Sequence, residues 1–278
     1  MGVLNLTPDS FSDGGAFFDA EHPERIDRAF EQARRLAAEG AELLDLGGES
    51  TRPGAPPVDE EEERRRVLPL LRRLAREEWA WLSVDTRRAG LAAEAAALGA
   101  VLVNDVSGGE DPALWALAAE RGLPCVVMHM QGTPQTMQVD PRYQDPVAEV
   151  EAFLLERAEA LQRLGLAPQR VLLDPGIGFG KTLEHNRALL AGLAELAGRA
   201  AARGHALLLG ASRKSFIGQV EEAAGLEASA PGGRLGGSLA AALWGARAGA
   251  RVLRVHDAGA TRQALQIWRW LEGRGPWS

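Results

Sequence analysis

A (β/α)8 barrel, the TIM-barrel form of the α/β class, is the fold that the sequence predicts, and three observations carry it. Eight short apolar runs alternate with helical patterns along 278 residues. The runs are continuously apolar instead of alternating, as strands covered on both faces require. The residues that end them, Asn5, Asp45, Asp85, Asn104, His129, Asp174, Ser212 and His256, recur about every 36 positions, the size of one strand-and-helix unit. An open doubly wound sheet accommodates the same count, and periodicity alone does not separate the two. No Ser/Gly/Pro-rich linker or charge block divides the chain, so one domain over residues 1–278 is expected.

In chain order, Met1 to Leu4 is the first apolar run, and a polar, glycine-rich loop from Thr7 to Gly15 follows. A helix is expected over Pro23–Glu39, with Ile26, Phe30, Ala33 and Leu36 on one face. The strand Glu42–Leu46 leads to a loop at 47–54. A helix then starts at Asp59 with acidic residues before arginines, the order a helix dipole favours. Trp81–Val84 and Val101–Val103 are strands, each followed by a helix, ending near Leu98 and Arg121. Val126–Met128 leads through a loop to a long helix, Pro146–Leu164. Val171–Leu173 precedes one helix from Glu184 to about Ala201. After Ala206–Leu209 the chain is expected to wander to Gly233 before the helix Leu235–Gly245. Val252–Val255 and a helix from about Thr261 to Leu271 finish the pattern.

Composition narrows the function. A net charge of −7 argues against nucleic-acid binding through a basic surface, while leaving room for a local anion pocket. The single cysteine, Cys125, lies in an apolar run and cannot form an internal disulfide, which fits a reducing compartment. With no signal-like start and no apolar run near membrane-spanning length, a soluble cytoplasmic protein is expected. Only two of the 31 basic residues are lysines, Lys181 and Lys214, and the asparagines are Asn5, Asn104 and Asn186. Abundant Arg, Ala and Glu with little Asn point to a heat-adapted source.

The stretch from Leu172 to Thr182 carries the first chemical signal: a strand, the carboxylate of Asp174, and a turn rich in glycine. Gly180-Lys181-Thr182 resembles the end of a phosphate loop, but Pro175 stands where that motif needs glycine. In a barrel the strand ends converge on one mouth, which gathers Asn5, Asp85, Asn104, Asp174, Lys214, Arg254 and His256. This set contains no Cys/His zinc cluster and no nucleophile elbow around Ser212. Two aspartates and an asparagine suit the edge of a flat, polar heterocycle. Thr51, Arg52, Arg254 and His256 add donors for a phosphate-type anion.

Over essentially its whole length the chain resembles the dihydropteroate synthases of the pterin-binding barrel family. The resemblance rests on Met1–Gly15, Asp45-Leu-Gly-Gly-Glu-Ser-Thr-Arg-Pro-Gly54, Ser83–Thr86, Val103–Val106, Met128–Gly132, Asp174-Pro-Gly-Ile-Gly-Phe-Gly-Lys181, Gly210–Ser215 and Arg254-Val-His-Asp257. It implies a barrel that joins 6-hydroxymethyl-7,8-dihydropterin diphosphate to 4-aminobenzoate with Mg2+. Asp85, Asn104, Asp174 and Lys214 match pterin-pocket positions, with Met128 and Phe179 as apolar walls and Gly210 beside them. Asn5 matches the metal ligand, and Thr51, Arg52, Arg254 and His256 match diphosphate positions. Ser212, Lys214, Phe11 and Pro53 match positions around the aminobenzoate. By the same resemblance, Asp85, Lys214, Arg254 and His256 are the catalytic set, and the loops after Asn5 and Gly48 form a closing pair. The C-terminal helices, with Trp244, Trp268, Trp270 and Trp277, resemble a homodimer surface.

Two departures stand out: this chain opens at the first strand, where relatives usually carry residues that cap the barrel, and Ile177 replaces a common aromatic. The nearest alternative is a pterin-dependent methyltransferase, which has no use for the Ser-Arg-Lys loop at 212–214 or an anion cluster. A non-catalytic pterin-binding protein is the alternative of a different class.

Overall fold

The computed structural model describes residues 1–7 and 23–275. Phe11, with most of the loop after Asn5, and Trp277 lie outside the described residues. Eight parallel strands form the centre: β1 (Gly2–Asn5), β2 (Leu43–Gly47), β3 (Trp81–Asp85), β4 (Ala100–Asp105), β5 (Cys125–Met128), β6 (Val171–Asp174), β7 (Ala206–Leu209) and β8 (Val252–Leu253). They pair in the order of the sequence, β1 through β8. Val255, just beyond β8, makes an isolated parallel bridge to Gly2. Val3 N donates to Val255 O (3.0 Å) and Val255 N to Met1 O (2.9 Å), so the sheet is curled and the segment after β8 hydrogen-bonds to the β1 edge.

Ten α-helices surround the sheet among the described residues. α1 (Pro23–Ala38), α2 (Glu60–Leu74), α3 (Ala89–Ala97), α4 (Pro112–Arg121) and α5 (Pro146–Arg163) follow β1 to β5 in turn. α2 starts where the sequence places it because Asp59 Oδ1 accepts the Glu62 backbone N–H at 2.8 Å and four glutamates fill its first turn. Asp111 and Asp145 cap α4 and α5 in the same way, each before a proline that has no N–H to lose. The helices press Leu36, Val67, Leu71, Leu91, Leu114, Leu154 and Leu161 onto the sheet's outer face.

Two expectations need correction. The single helix from Glu184 to Ala201 is two, α6 (Leu183–Ala191) and α7 (Leu193–Ala202), broken where Gly192 takes φ −82° and ψ 3°. A side chain at Gly192 would press on Val147 of α5, so glycine here serves a close approach that a periodic pattern cannot register. The stretch expected to wander to Gly233 begins with α8 (Ser215–Ala223). It is nine residues long with Gly218 inside, too short to stand out. Its buried Phe216, Ile217 and Gly218 show that packing, not propensity, maintains it. α9 (Leu235–Ala248) and α10 (Ala258–Leu271) complete the outer layer.

The register positions the strand ends. Asn5 is level with Gly47, Gly47 with Asp85, and Asp85 with Asn104; on the opposite side Met128 is level with Asp174. The turn after β6 passes so close to the end of β5 that a Cβ on Gly176, at φ +65°, would stand 1.9 Å from the His129 carbonyl oxygen. Gly176→Ala should therefore lower the free energy of unfolding by about 2 kcal/mol or more, from left-handed strain plus a backbone clash. A denaturant midpoint unchanged by the substitution would show that the turn relaxes freely.

Candidate active site

Four side chains from four places in the chain form one polar string, buried at Asp45 and Asn104 and partly buried at Asp85 and Arg254. Asp45, in the middle of β2, is fully buried; its Oδ2 accepts from Asn104 Nδ2 (2.9 Å) and from Arg254 Nε (2.7 Å). Arg254 Nη2 reaches on to Asp85 Oδ2 at 2.7 Å. Ser83 Oγ donates to the other Asp45 oxygen at 2.5 Å. Sequence reasoning placed Asp45 at a strand end and went no further. The clue it offered was a carboxylate inside an otherwise apolar run, Leu43-Leu44-Asp45-Leu46, because an acid there must have partners to be tolerated.

Beside this string stands Asp174, whose Oδ1 accepts the Gly176 N–H at 2.8 Å while Oδ2 faces the space over Gly210. Burial pushes its carboxyl up, partly offset by the Gly176 hydrogen bond and then by Lys214 and Arg254. Asp85 is pushed up by burial to about 8, against the pull of Arg254. Asp45 and Asp85 together outweigh burial at Arg254 and raise it. Lys214 is lowered by burial, and next by Arg254, to about 7. Its ammonium sits 3.6 Å from the centre of the Phe179 ring, a cation–π contact. Phe179 packs with Met128 and Met137 in a small apolar cluster that lines the same side.

Lys214 follows a strained turn. Arg213 is the one non-glycine residue with positive φ (59°) among the described residues. Its guanidinium is held by both oxygens of Asp257 (3.0 and 2.6 Å), and its backbone N–H by Ser238 Oγ (2.9 Å). The bidentate pair fixes the loop between Ser212 and Lys214 to the segment that carries His256. Ser212 Oγ lies 3.1 Å from His256 Nδ1 and accepts the His256 N–H at 3.3 Å. Burial, then Arg254, lowers His256 to about 3.

The second lysine has a different place. Lys181 Nζ donates to Phe179 O (2.9 Å) and His129 O (3.3 Å) and lies 3.0 Å from His129 Nδ1. It is buried, lowered to about 7 by that burial, and its three contacts fasten the glycine turn to the end of β5. Asn186 secures the same turn, its Oδ1 accepting the Gly178 N–H at 2.7 Å. His129 is lowered to about 3 by burial and then by Lys181.

Thr51 and Arg52 stand apart. Among the described residues, no hydrogen bond or ion pair joins either side chain to Arg254 or His256, and Arg52 and Pro53 are exposed. Their loop is tied at its base instead: Glu49 accepts Val58 N–H (3.0 Å) and both Arg87 Nε and Nη2 (3.1 Å each). Gly54 N donates to Pro134 O at 3.1 Å, which leans the loop against the segment after β5. Asn5 is half-buried at the end of β1, level with Gly47.

The chain belongs to the pterin binding enzyme family, which it matches over residues 1–256. Within that class its relatives are dihydropteroate synthases. The Escherichia coli (strain K12) dihydropteroate synthase is 45% identical over 271 residues, covering 96% of this chain and 89% of the relative. The Xanthomonas albilineans dihydropteroate synthase solved with 4-aminobenzoic acid is 42% identical with a TM-score of 0.87, covering 99% of this chain and 93% of the other. The same enzyme in complex with 7,8-dihydropteroate is 40% identical, at TM-score 0.84 and the same coverage.

The burial of His129 and His256 has a direct readout. Both rings stay neutral in the fold down to about pH 3, whereas an unfolded imidazole takes up its proton near 6.5. Their contribution to stability is therefore complete above about pH 6.5 and is lost as pH falls toward 3. In the ligand-free protein their ring proton resonances should not titrate between pH 5 and 8; a midpoint near 6.5 for either would contradict the burial described.

Proposed function

We propose that this chain is a transferase that condenses 6-hydroxymethyl-7,8-dihydropterin diphosphate with 4-aminobenzoate, giving 7,8-dihydropteroate and diphosphate. The observation that carries the reading is the string Asn104–Asp45–Arg254–Asp85 beside Asp174 and Lys214, which sets acceptors for a heterocycle edge next to cations for an anion. The relatives act in its support, since they are dihydropteroate synthases along nearly their full length. We further propose that the curled sheet is a closed (β/α)8 barrel of one domain, as the Gly2–Val255 bridge supports.

The residues then take these roles. Asp174, Asn104 and Asp85 accept from the ring's N–H groups, Met128 and Phe179 wall its faces, and Gly210 leaves room for it beside Asp174. Arg254, His256, Thr51 and Arg52 bind the diphosphate, and Lys214 and Ser212 border the aminobenzoate. The bond from the methylene carbon to diphosphate breaks with its electron pair leaving on oxygen, so positive charge grows on the pterin side. Arg254, bound to Asp85 in the free chain, turns part of its charge to the leaving group, and the Asp85 carboxylate faces the growing cation. The aminobenzoate nitrogen supplies the pair for the new C–N bond and releases one proton to solvent. An aromatic amine is weakly basic and needs no dedicated base.

Magnesium fits the donor set. Asn5 offers a hard amide oxygen at the end of β1. That suits an ion that takes one protein oxygen and completes its shell from water and substrate phosphates. When bound, it supplies charge neutralisation at the diphosphate. No helix among the described residues is long and apolar enough to cross a membrane, and Cys125 is buried and free; both support a cytoplasmic place. Trp244 on α9 and Ile267, Trp270 and Leu271 on α10 are exposed apolar side chains and support a homodimer through these helices.

Formation of dihydropteroate from the two substrates, dependent on Mg2+, tests the reading, and a wild-type protein that binds the pterin diphosphate without product would overturn it. Asp85→Asn should cut kcat by about 100-fold or more while changing pterin binding much less; equal losses in both would mean that the charge argument is wrong. The rate constant kcat/KM should rise with pH toward about 8 as Asp85 ionises in the free enzyme, and that limb should flatten in Asp85→Asn. Sedimentation should give a mass of two chains, and Trp270→Glu should reduce it to one.

A further inference from the structure

We propose that Asp45 is a positioning residue for this reaction: it touches no substrate, yet it fixes which atom of Asn104 faces the pocket and which way Arg254 points. The inference rests on the reading of the site as one for a pterin and its diphosphate.

Asp45 is 0% exposed and sits two residues below the strand ends, opposite Val3 on one side and Ser83 on the other. A carboxylate so placed is tolerated only with its lone pairs occupied. Here three donors occupy them, from β3 (Ser83), β4 (Asn104) and the segment after β8 (Arg254). Two of the three reach toward the pocket above it.

The consequence for Asn104 is one of identity. A carboxylate only accepts, so the amide group turned toward Asp45 must be the NH2. The amide oxygen is then left to face the pocket, and position 104 presents an acceptor. Without Asp45 the amide is free to turn over and present a donor, which a ring N–H cannot use. For Arg254 the consequence is direction. Its Nε edge is held by Asp45 and its Nη2 by Asp85, so the guanidinium plane is set by two carboxylates, leaving Nη1 free of both of these bonds. Recognition of the ring and stabilisation of the leaving anion are thus set by one buried charge, through partners 59 and 209 positions away in the chain.

Two substitutions separate the parts. Asp45→Ala removes both restraints, while Asp45→Asn keeps an oxygen for Asn104 and Arg254 if the Ser83 hydroxyl turns to accept, and loses only the charge. Binding of the pterin alcohol without diphosphate, followed by calorimetry, reads the Asn104 branch; steady-state kinetics with the diphosphate read the Arg254 branch. We expect Asp45→Ala to weaken pterin alcohol binding by about 10- to 100-fold, the effect of a buried hydrogen-bonding partner lost. In an Asn104→Ala background the same change should weaken it by no more than about twofold, because the residue through which Asp45 acts is gone. Asp45→Asn should restore pterin alcohol binding to within about threefold of wild type while kcat/KM for the diphosphate stays at least about tenfold down.

Additive losses in the double variant would overturn the inference, because a carboxylate that merely supports the fold lowers binding regardless of what stands at 104. If Asp45→Ala does not fold, Asp45→Asn decides alone: wild-type kcat/KM overturns the proposal, and a selective loss of kcat/KM with pterin alcohol binding kept supports it. A wild-type enzyme that fails to make dihydropteroate is a separate outcome, against the proposed function itself.

Discussion

A charge removed from water must find its counter-charge within the chain, and this requirement organises the interior end of the sheet. Asp45, Asp85, Asp174, Lys181, Lys214 and Arg254 gather at the strand ends and just below them, where isolated ions would each cost several kcal/mol. Their burial is tolerable because the parallel register brings the ends of β1 to β4 to one level, and the segments after β6, β7 and β8 supply Lys181, Lys214 and Arg254. The apolar layers below and around this one are ordinary: leucine, valine and alanine packed between strands and helices. They hold the strands in place, and the strands hold the charges.

Most of the fold was legible in the sequence because burial on both faces writes parallel strands as short apolar runs of nearly even spacing. Asp85, Asn104, Asp174 and His256 were readable for the same reason, being polar residues at or just past the point where an apolar run stops. What was not legible depended on contacts between distant segments. Gly192 stands at the break between two helices with Val147 close against it, and α8 is a helix chiefly because Phe216 and Ile217 find the core. Asp45 reads as a strand end in the sequence but stands inside β2, and its partners, distant in the chain, could not be guessed from its neighbours.

Scarcity proved a better guide than motif. In a chain that writes its cations almost wholly as arginine, one lysine borders the pocket and the other holds the glycine turn beside it. Lys214 lies over the Phe179 ring, and Lys181 is threaded among carbonyl oxygens that a planar guanidinium could not satisfy together. Two of the three asparagines serve the same region, Asn104 on Asp45 and Asn186 on the turn at Gly178. Residues that the composition otherwise avoids were kept where their geometry has no substitute. Their concentration around one pocket is a physical signal that single-motif matching missed.

The partnership of Asp45 with Arg254 also bears on how the molecule is made. A growing polypeptide delivers Asp45 from the ribosome more than two hundred residues before its guanidinium partner exists. Until then the acid has every reason to stay hydrated, and β2 to delay its docking. No fragment lacking the last strand can carry a finished pocket, so ligand-binding competence arrives all at once, near the close of translation.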